Sequence, residues 1–153
     1  MNKETKNSME TQEILTLRKA MEKVLEGKRY EHTLGVAYTA ASLAMCYGQD
    51  VHKAQVAGLL HDCAKNYTNE KRINICRKNG IPINEAEQKN PFLLHAKVGS
   101  FLAREKYGIK DKEILDAITY HTTGRPEMGM LDKIIYIADY IEPGRRQEIG
   151  RAS

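Results

Sequence analysis

The stretch Leu59–Tyr67, LLHDCAKNY, runs a histidine and an aspartate onto the end of an apolar segment. Upstream, Val56, Leu59 and Leu60 follow helical spacing, and Asp50 stands where that helix would take its N-terminal cap. An unpaired carboxylate beside a core is expensive. Asp62 therefore calls for partners from elsewhere in the chain, and the fold has to bring them to the end of this helix.

The same helical period continues on both sides. Ile14, Leu17, Met21, Val24 and Leu25 form one apolar stripe, with Gly27 read as its stop. An Ala-rich pattern over Leu34–Met45 ends near Gly48, and His32, in RYEHTLGVA, lies inside the same second helix. Thr68 caps a fourth helix ending at Gly80, and Pro91 opens a fifth reaching Tyr107–Gly108. Asp111 caps a sixth that runs to Tyr120, and Met130–Ile141 forms a seventh, buried on much of its surface. TTGRPEMG, between the last two, is a loop by its Gly and Pro content. No alternating strand pattern of useful length interrupts these segments. The expectation is an all-α, compact bundle of about seven helices.

At 153 residues the chain fits one domain. We expect residues 1–12 to be a mobile N-terminal tail, 13–145 the domain, and 146–153 a divergent, truncated C-terminus. Hydrophobic residues make up 41% and charged residues 29%, an ordinary globular balance. The apolar runs VAGLL and IIYIA fall far short of the ~18 residues of a membrane span, and the N-terminus has no signal-type segment. Neither membrane nor secretion is expected. Three cysteines at unrelated spacings suggest no disulfide framework and suit a reducing cytoplasm. The net charge of +4 comes without a basic run, which argues against nucleic acid and suits a small anionic substrate.

The five histidines carry the chemistry. His32, His61, His95 and His121 lie in apolar or junctional contexts, and Asp139 sits within the apolar IIYIADYIEP. His52 reads as a surface residue on the third helix. Singly, a histidine on an apolar face is most often a hydrogen-bonded core residue. Together, four imidazoles and two carboxylates on five helices suit transition metals such as iron or manganese. Six protein donors exceed what one ion with open positions needs. They fit two ions with one carboxylate between them, the arrangement that clamps a phosphoryl group for displacement.

RYEHTLGVA, AGLLHDCAKN, NPFLLHAKVGSFLA and AITYHTTGRPEMGMLDKIIYIADYIEPGR, taken in order, resemble the HD-domain metal-dependent phosphohydrolases. Their wording is similar to the bacterial YqeK-type branch, the symmetrical bis(5'-nucleosyl)-tetraphosphatases that hydrolyse diadenosine tetraphosphate. The resemblance spans about Arg29 to Arg145. It implies an HD-type helical bundle with His32, His61, Asp62, His95, His121 and Asp139 as metal ligands, Asp62 bridging. It implies two ions, iron with manganese or cobalt as substitutes, and a metal-bridging hydroxide that splits the substrate into two molecules of ADP. Asp62 and Lys65 are the expected catalytic residues. Lys65, Thr122, Gly124, Arg125 and Arg145 are the expected contacts to a dinucleoside polyphosphate, and a homodimer is compatible with this reading. Two alternatives keep the metals: another HD-type nucleotide phosphatase or phosphodiesterase, and a non-catalytic metal- or nucleotide-binding module.

Overall fold

A computed structural model of the chain describes residues 1–145; the expectation about 146–153 lies outside them. Among the described residues there are eight α-helices and no strand. They are α1 (Lys3–Val24), α2 (Gly27–Cys46), α3 (Val51–Leu60), α4 (Asn69–Lys78), α5 (Glu85–Lys89), α6 (Leu94–Glu105), α7 (Lys112–Thr119) and α8 (Met130–Ile141). Short 3-10 turns occupy Pro91–Leu93 and Pro143–Arg145.

The axle of the bundle is α3. Ala54, Val56, Ala57, Gly58, Leu59 and Leu60 are all buried, as expected of a helix whose C-terminal half, VAGLL, is apolar all round. It touches α1, α2, α6, α7 and α8, so whatever follows its last residue is delivered to the middle of the molecule. Its closest neighbour is α2. A Cβ on Gly58 would lie 2.7 Å from the Ala37 Cα, so the missing side chain sets how near the two backbones come. A smaller apolar cluster of Ala64, Cys76, Leu94 and Val98 joins α4 to α6.

The expected caps are in place. Asp50 accepts from the Lys53 N–H, Thr68 from Lys71, and Asp111 from Glu113 and Ile114. Three expectations need correction. Residues 3–12, read as a tail, are the first turns of α1, started by the Asn2 side chain accepting from Thr5. These turns are almost wholly exposed, and only Leu17 and Met21 of α1 are buried. The N-terminal turns therefore carry no apolar stripe. Gly27 does not close α1. The helix stops against an extended Leu25, and Gly27 opens α2 at φ +42°, a conformation that suits glycine. The eighth helix, α5, is a five-residue segment held by an Asn84–Glu87 capping box, with Glu87 its only buried side chain. It is too short to show a period.

The α2–α3 crossing gives a sign-specific prediction. Alanine in a helix interior normally stabilises by about 0.5–1 kcal/mol relative to glycine. Gly58→Ala should instead destabilise by about 1–3 kcal/mol, read as a lower urea midpoint at unchanged slope. An equal or higher midpoint would mean that the two backbones do not meet as described.

Candidate metal centre

The chain leaves α3 through hydrogen-bonded turns: Cys63 N–H to Leu60 O, Lys65 to Asp62 and Tyr67 to Ala64. Two ties fix this segment. Asn66 donates to the Val24 carbonyl at the end of α1, at 2.8 Å. The buried Arg72 guanidinium of α4 donates to the Ala64 and Lys65 carbonyls. His61 and Asp62 are thereby held fully buried at the centre of the bundle.

Three imidazoles are oriented by one device. His61 Nδ1 donates to Gly58 O at 2.6 Å, His95 Nδ1 to Phe92 O at 2.7 Å, and His121 Nδ1 to Ile118 O at 2.7 Å. In each case the acceptor lies three residues earlier. A carbonyl can only accept, so Nδ1 carries the proton and Nε2 is left to face the cluster. His32, from α2, gives Nδ1 to the Glu142 carboxylate at 3.0 Å.

All six expected donors converge. Asp62 Oδ2 stands 3.3 Å from His61 Nε2 and 3.8 Å from His32 Nε2. Its other oxygen, Oδ1, stands 3.4 Å from His121 Nε2 and 3.6 Å from His95 Nε2. The carboxylate thus faces two imidazoles with each oxygen. Asp139 Oδ1, from α8, completes one side, 2.9 Å from His32 Nε2 and 3.5 Å from His61 Nε2.

The donor chemistry fits a cation. Among the described residues neither Asp62 oxygen, nor His61 Nε2, has a hydrogen-bond partner, although all three are buried; such orphans are costly. His95 Nε2 and His121 Nε2 face each other at 3.2 Å, with both Nδ1 protons already given to carbonyls. Donors sharing one ion at about 2.1 Å stand roughly 3.0–3.4 Å from one another, close to the spacings found here. His32, His61 and Asp139 offer atoms within 4.8 Å of one another, and so do His61, Asp62 and His121. These groups can hold a divalent metal.

Electrostatics follow the same division. Burial works against charge on His61, but Asp62 and Asp139 outweigh it and push the imidazole up to about 10. Burial likewise opposes charge on Asp62 and Asp139. Histidines prevail in both, His61 and His121 at Asp62, His32 and His61 at Asp139, and hold the two carboxyls well below the usual range. Burial, reinforced by His121, pushes His95 down to about 4, so it stays neutral.

The expected substrate contacts divide. Lys65 Nζ lies 3.5 Å from Asp62 Oδ2, at the cluster. Arg145 pairs with Asp139, its guanidinium 3.1 Å from Oδ1 and also donating to the backbone carbonyl. Arg125 is engaged elsewhere. It pairs with Asp132 at 2.8 Å and Asp116 at 3.4 Å and lies over the Tyr120 ring. Thr122 follows His121 half-buried, and Gly124 closes the turn with its N–H on the Tyr120 carbonyl. His52 pairs with Glu13 of α1 at 3.1 Å. Sequence reasoning missed two residues. Arg29 brings a guanidinium 3.9 Å from Asp62 Oδ2, one helical turn before His32. Glu142 is buried behind His32. The available signals were an arginine three residues before a buried histidine and a glutamate following the apolar helix that carries Asp139.

Known proteins resemble this chain over most of its length. The HD domain family model matches residues 29–144. The chain belongs to the HD-domain family. A symmetrical bis(5'-nucleosyl)-tetraphosphatase of Bacillus subtilis (strain 168) is 47% identical over 117 residues, covering 76% of this chain and 62% of the relative. A protein of the same description from Staphylococcus aureus (strain NCTC 8325 / PS 47) is 45% identical over 128 residues, 84% of this chain and 65% of the relative. This HD chain thus spans somewhat under two thirds of the length of these curated relatives. Its fold matches a crystal structure of a predicted HD superfamily hydrolase involved in NAD metabolism from Clostridium acetobutylicum. The TM-score is 0.83 at 47% identity, covering 90% of this chain and 75% of that one.

The pH response of the chelator-stripped protein tests the ion pairs. The raised His61 stabilises the fold fully below its ordinary value of 6.5, and that contribution is lost as pH rises toward about 10. The lowered Asp62 and Asp139 contribute above the ordinary carboxylate value, and their share is lost on acidification. The melting temperature should therefore fall between pH 6.5 and 10, and Asp62→Asn should flatten the fall. A level profile in the parent protein would contradict the pairing.

Proposed function

We propose that the six donors form a two-ion centre and that the HD-type domain of residues 13–145 hydrolyses dinucleoside tetraphosphates, diadenosine tetraphosphate into two ADP. The observation that carries this reading is the division of Asp62, one oxygen toward His32 and His61, the other toward His95 and His121. The chemistry of the donor set favours iron, with manganese or cobalt as substitutes. His32, His61 and Asp139 would hold one ion, His95 and His121 the other, with Asp62 between them. Divalent ions at such a centre polarise phosphoryl oxygens and lower the pKa of water.

The chain's own residues do the rest. The oriented Nδ1 protons keep four Nε2 atoms aimed inward, so the centre is built before substrate arrives. Lys65 and Arg29, on the rim beside Asp62, supply positive charge to a polyphosphate and offset charge that develops on its oxygens. Thr122, Gly124 and Arg145 are further candidates for that contact. Arg125 acts from behind, tying the loop after His121 to Asp132 and Asp116. Likeness to relatives described as symmetrical tetraphosphatases supports the substrate, and three free cysteines suit action in a reducing cytoplasm.

A second reading has a specific support. The Clostridium acetobutylicum relative is described as involved in NAD metabolism, which favours a different nucleotide as substrate on the same centre. Chromatography of products separates the two. Two nucleoside diphosphates from diadenosine tetraphosphate support the symmetrical cut, and a mononucleotide product supports the alternative. Metal content with no turnover of either substrate would leave a binding module.

Asp62→Ala should abolish turnover and lower metal content while helicity by circular dichroism is retained; near-normal turnover would remove Asp62 from the centre. Lys65→Ala and Arg29→Ala should keep the metal and raise KM for the tetraphosphate by about tenfold, the loss of one charged contact. Loss of metal in either variant would show that the cation serves the donors rather than the substrate.

A further inference from the structure

His32 differs from the other three imidazoles in how it is held. His61, His95 and His121 sit at the ends of helical segments, where carbonyls three residues earlier are within reach of Nδ1. His32 lies in the interior of α2, where the preceding carbonyls belong to the helix ladder. Its acceptor has to come from outside, and it comes from 110 residues away: the Glu142 carboxylate, just past the end of α8.

Two glycines surround that carboxylate. A Cβ on Gly35 would lie 2.2 Å from Glu142 Oε2, and one on Gly144 would lie 2.7 Å from Oε1. Gly144 also donates its N–H to Oε2 at 2.9 Å. Gly35 stands three residues after His32, on the same face of α2. The helix thus presents an imidazole and, next to it, a notch the size of a side chain, and the carboxylate occupies the notch.

We propose that Glu142 is a positioning residue that fixes the His32 tautomer and ring orientation, and that Gly35 is the space that admits it. This rests on the reading of the cluster as a metal centre. With Nδ1–H given to Glu142, Nε2 is the atom left to face Asp139 and the cation. A ligand imidazole backed by a carboxylate is also more basic and better oriented than an unsupported one.

The test is cobalt(II) titration of the chelator-stripped protein, followed by calorimetry and the visible spectrum of the bound ion. Glu142→Leu should weaken cobalt binding 10- to 100-fold, the usual range for losing such a partner. Glu142→Gln, whose amide oxygen can accept the same proton, should lose less. Gly35→Ala should reproduce the Glu142→Leu defect with the glutamate still present. In a Glu142→Ala background, Gly35→Ala should add little, because nothing remains to be displaced. Parental affinity and spectrum in Glu142→Leu would overturn the proposal, as would a Gly35→Ala effect that persists undiminished in the double variant. A parent protein that binds no cobalt would instead overturn the metal reading itself, which keeps the two failures apart.

Discussion

A fully buried carboxylate, neither of whose oxygens is conventionally hydrogen-bonded among the described residues, is the constraint on which this molecule turns. Asp62 stands in the centre of the bundle because the buried, apolar C-terminal half of α3 carries it there. Removing such a group from water is costly unless charge of the opposite sign accompanies it. The fold meets that demand with four Nε2 atoms within 3.8 Å and two cationic side chains within 3.9 Å. The four imidazoles come from four different parts of the chain, so the electrostatics of one residue constrain α2, the turn after α3, α6 and the turn after α7 at once.

Helix ends are the means by which this is done. A helix end leaves carbonyls without a ladder partner. In this chain the Gly58 and Ile118 carbonyls near the ends of α3 and α7, with the Phe92 carbonyl of the 3-10 turn before α6, orient imidazoles through their Nδ1 protons. The same ends place those histidines inward without forcing a polar group through the middle of an apolar face. The turn bearing His61 and Asp62 is further fixed from both sides, by Asn66 on the carbonyl of Val24 and by the buried Arg72 on the carbonyls of Ala64 and Lys65. The site is therefore rigid at its centre for reasons unrelated to any ligand.

Much of this was legible in the sequence. The caps at Asp50, Thr68 and Asp111 follow from short polar side chains preceding apolar periods. The six donors are legible as polar groups that an apolar context cannot tolerate singly. What stayed hidden obeys different physics. The first turns of α1 project from the body, so their helicity leaves no hydrophobic pattern. A glutamate beside Pro143 and Gly144 reads as a solvated loop residue, and only its pairing with His32 across 110 positions gives it a role. Arg125 is the opposite case. In a Gly- and Pro-rich loop it resembles a phosphate ligand, yet Asp116 and Asp132 neutralise it from two helices. No local spacing announces such a pairing.

The cations beside the donors complete the electrostatic picture. Lys65 and Arg29 approach Asp62, and Arg145 approaches Asp139, so the carboxylates are partly compensated before any ion is considered. Side chains arranged only to retain metal would not include them, because they repel a cation that arrives at the same oxygens. On the two-ion reading the ions' own charge would come on top of this compensation, and a centre so loaded carries an excess of positive potential. A neutral or singly charged ligand would leave that excess in place. A polyphosphate removes it, and the attraction is greatest where negative charge is densest along the chain. On that reading the same excess would oppose release of charged products, and rim residues that stay partly in water, such as Arg29, are where solvent screening would moderate binding strength.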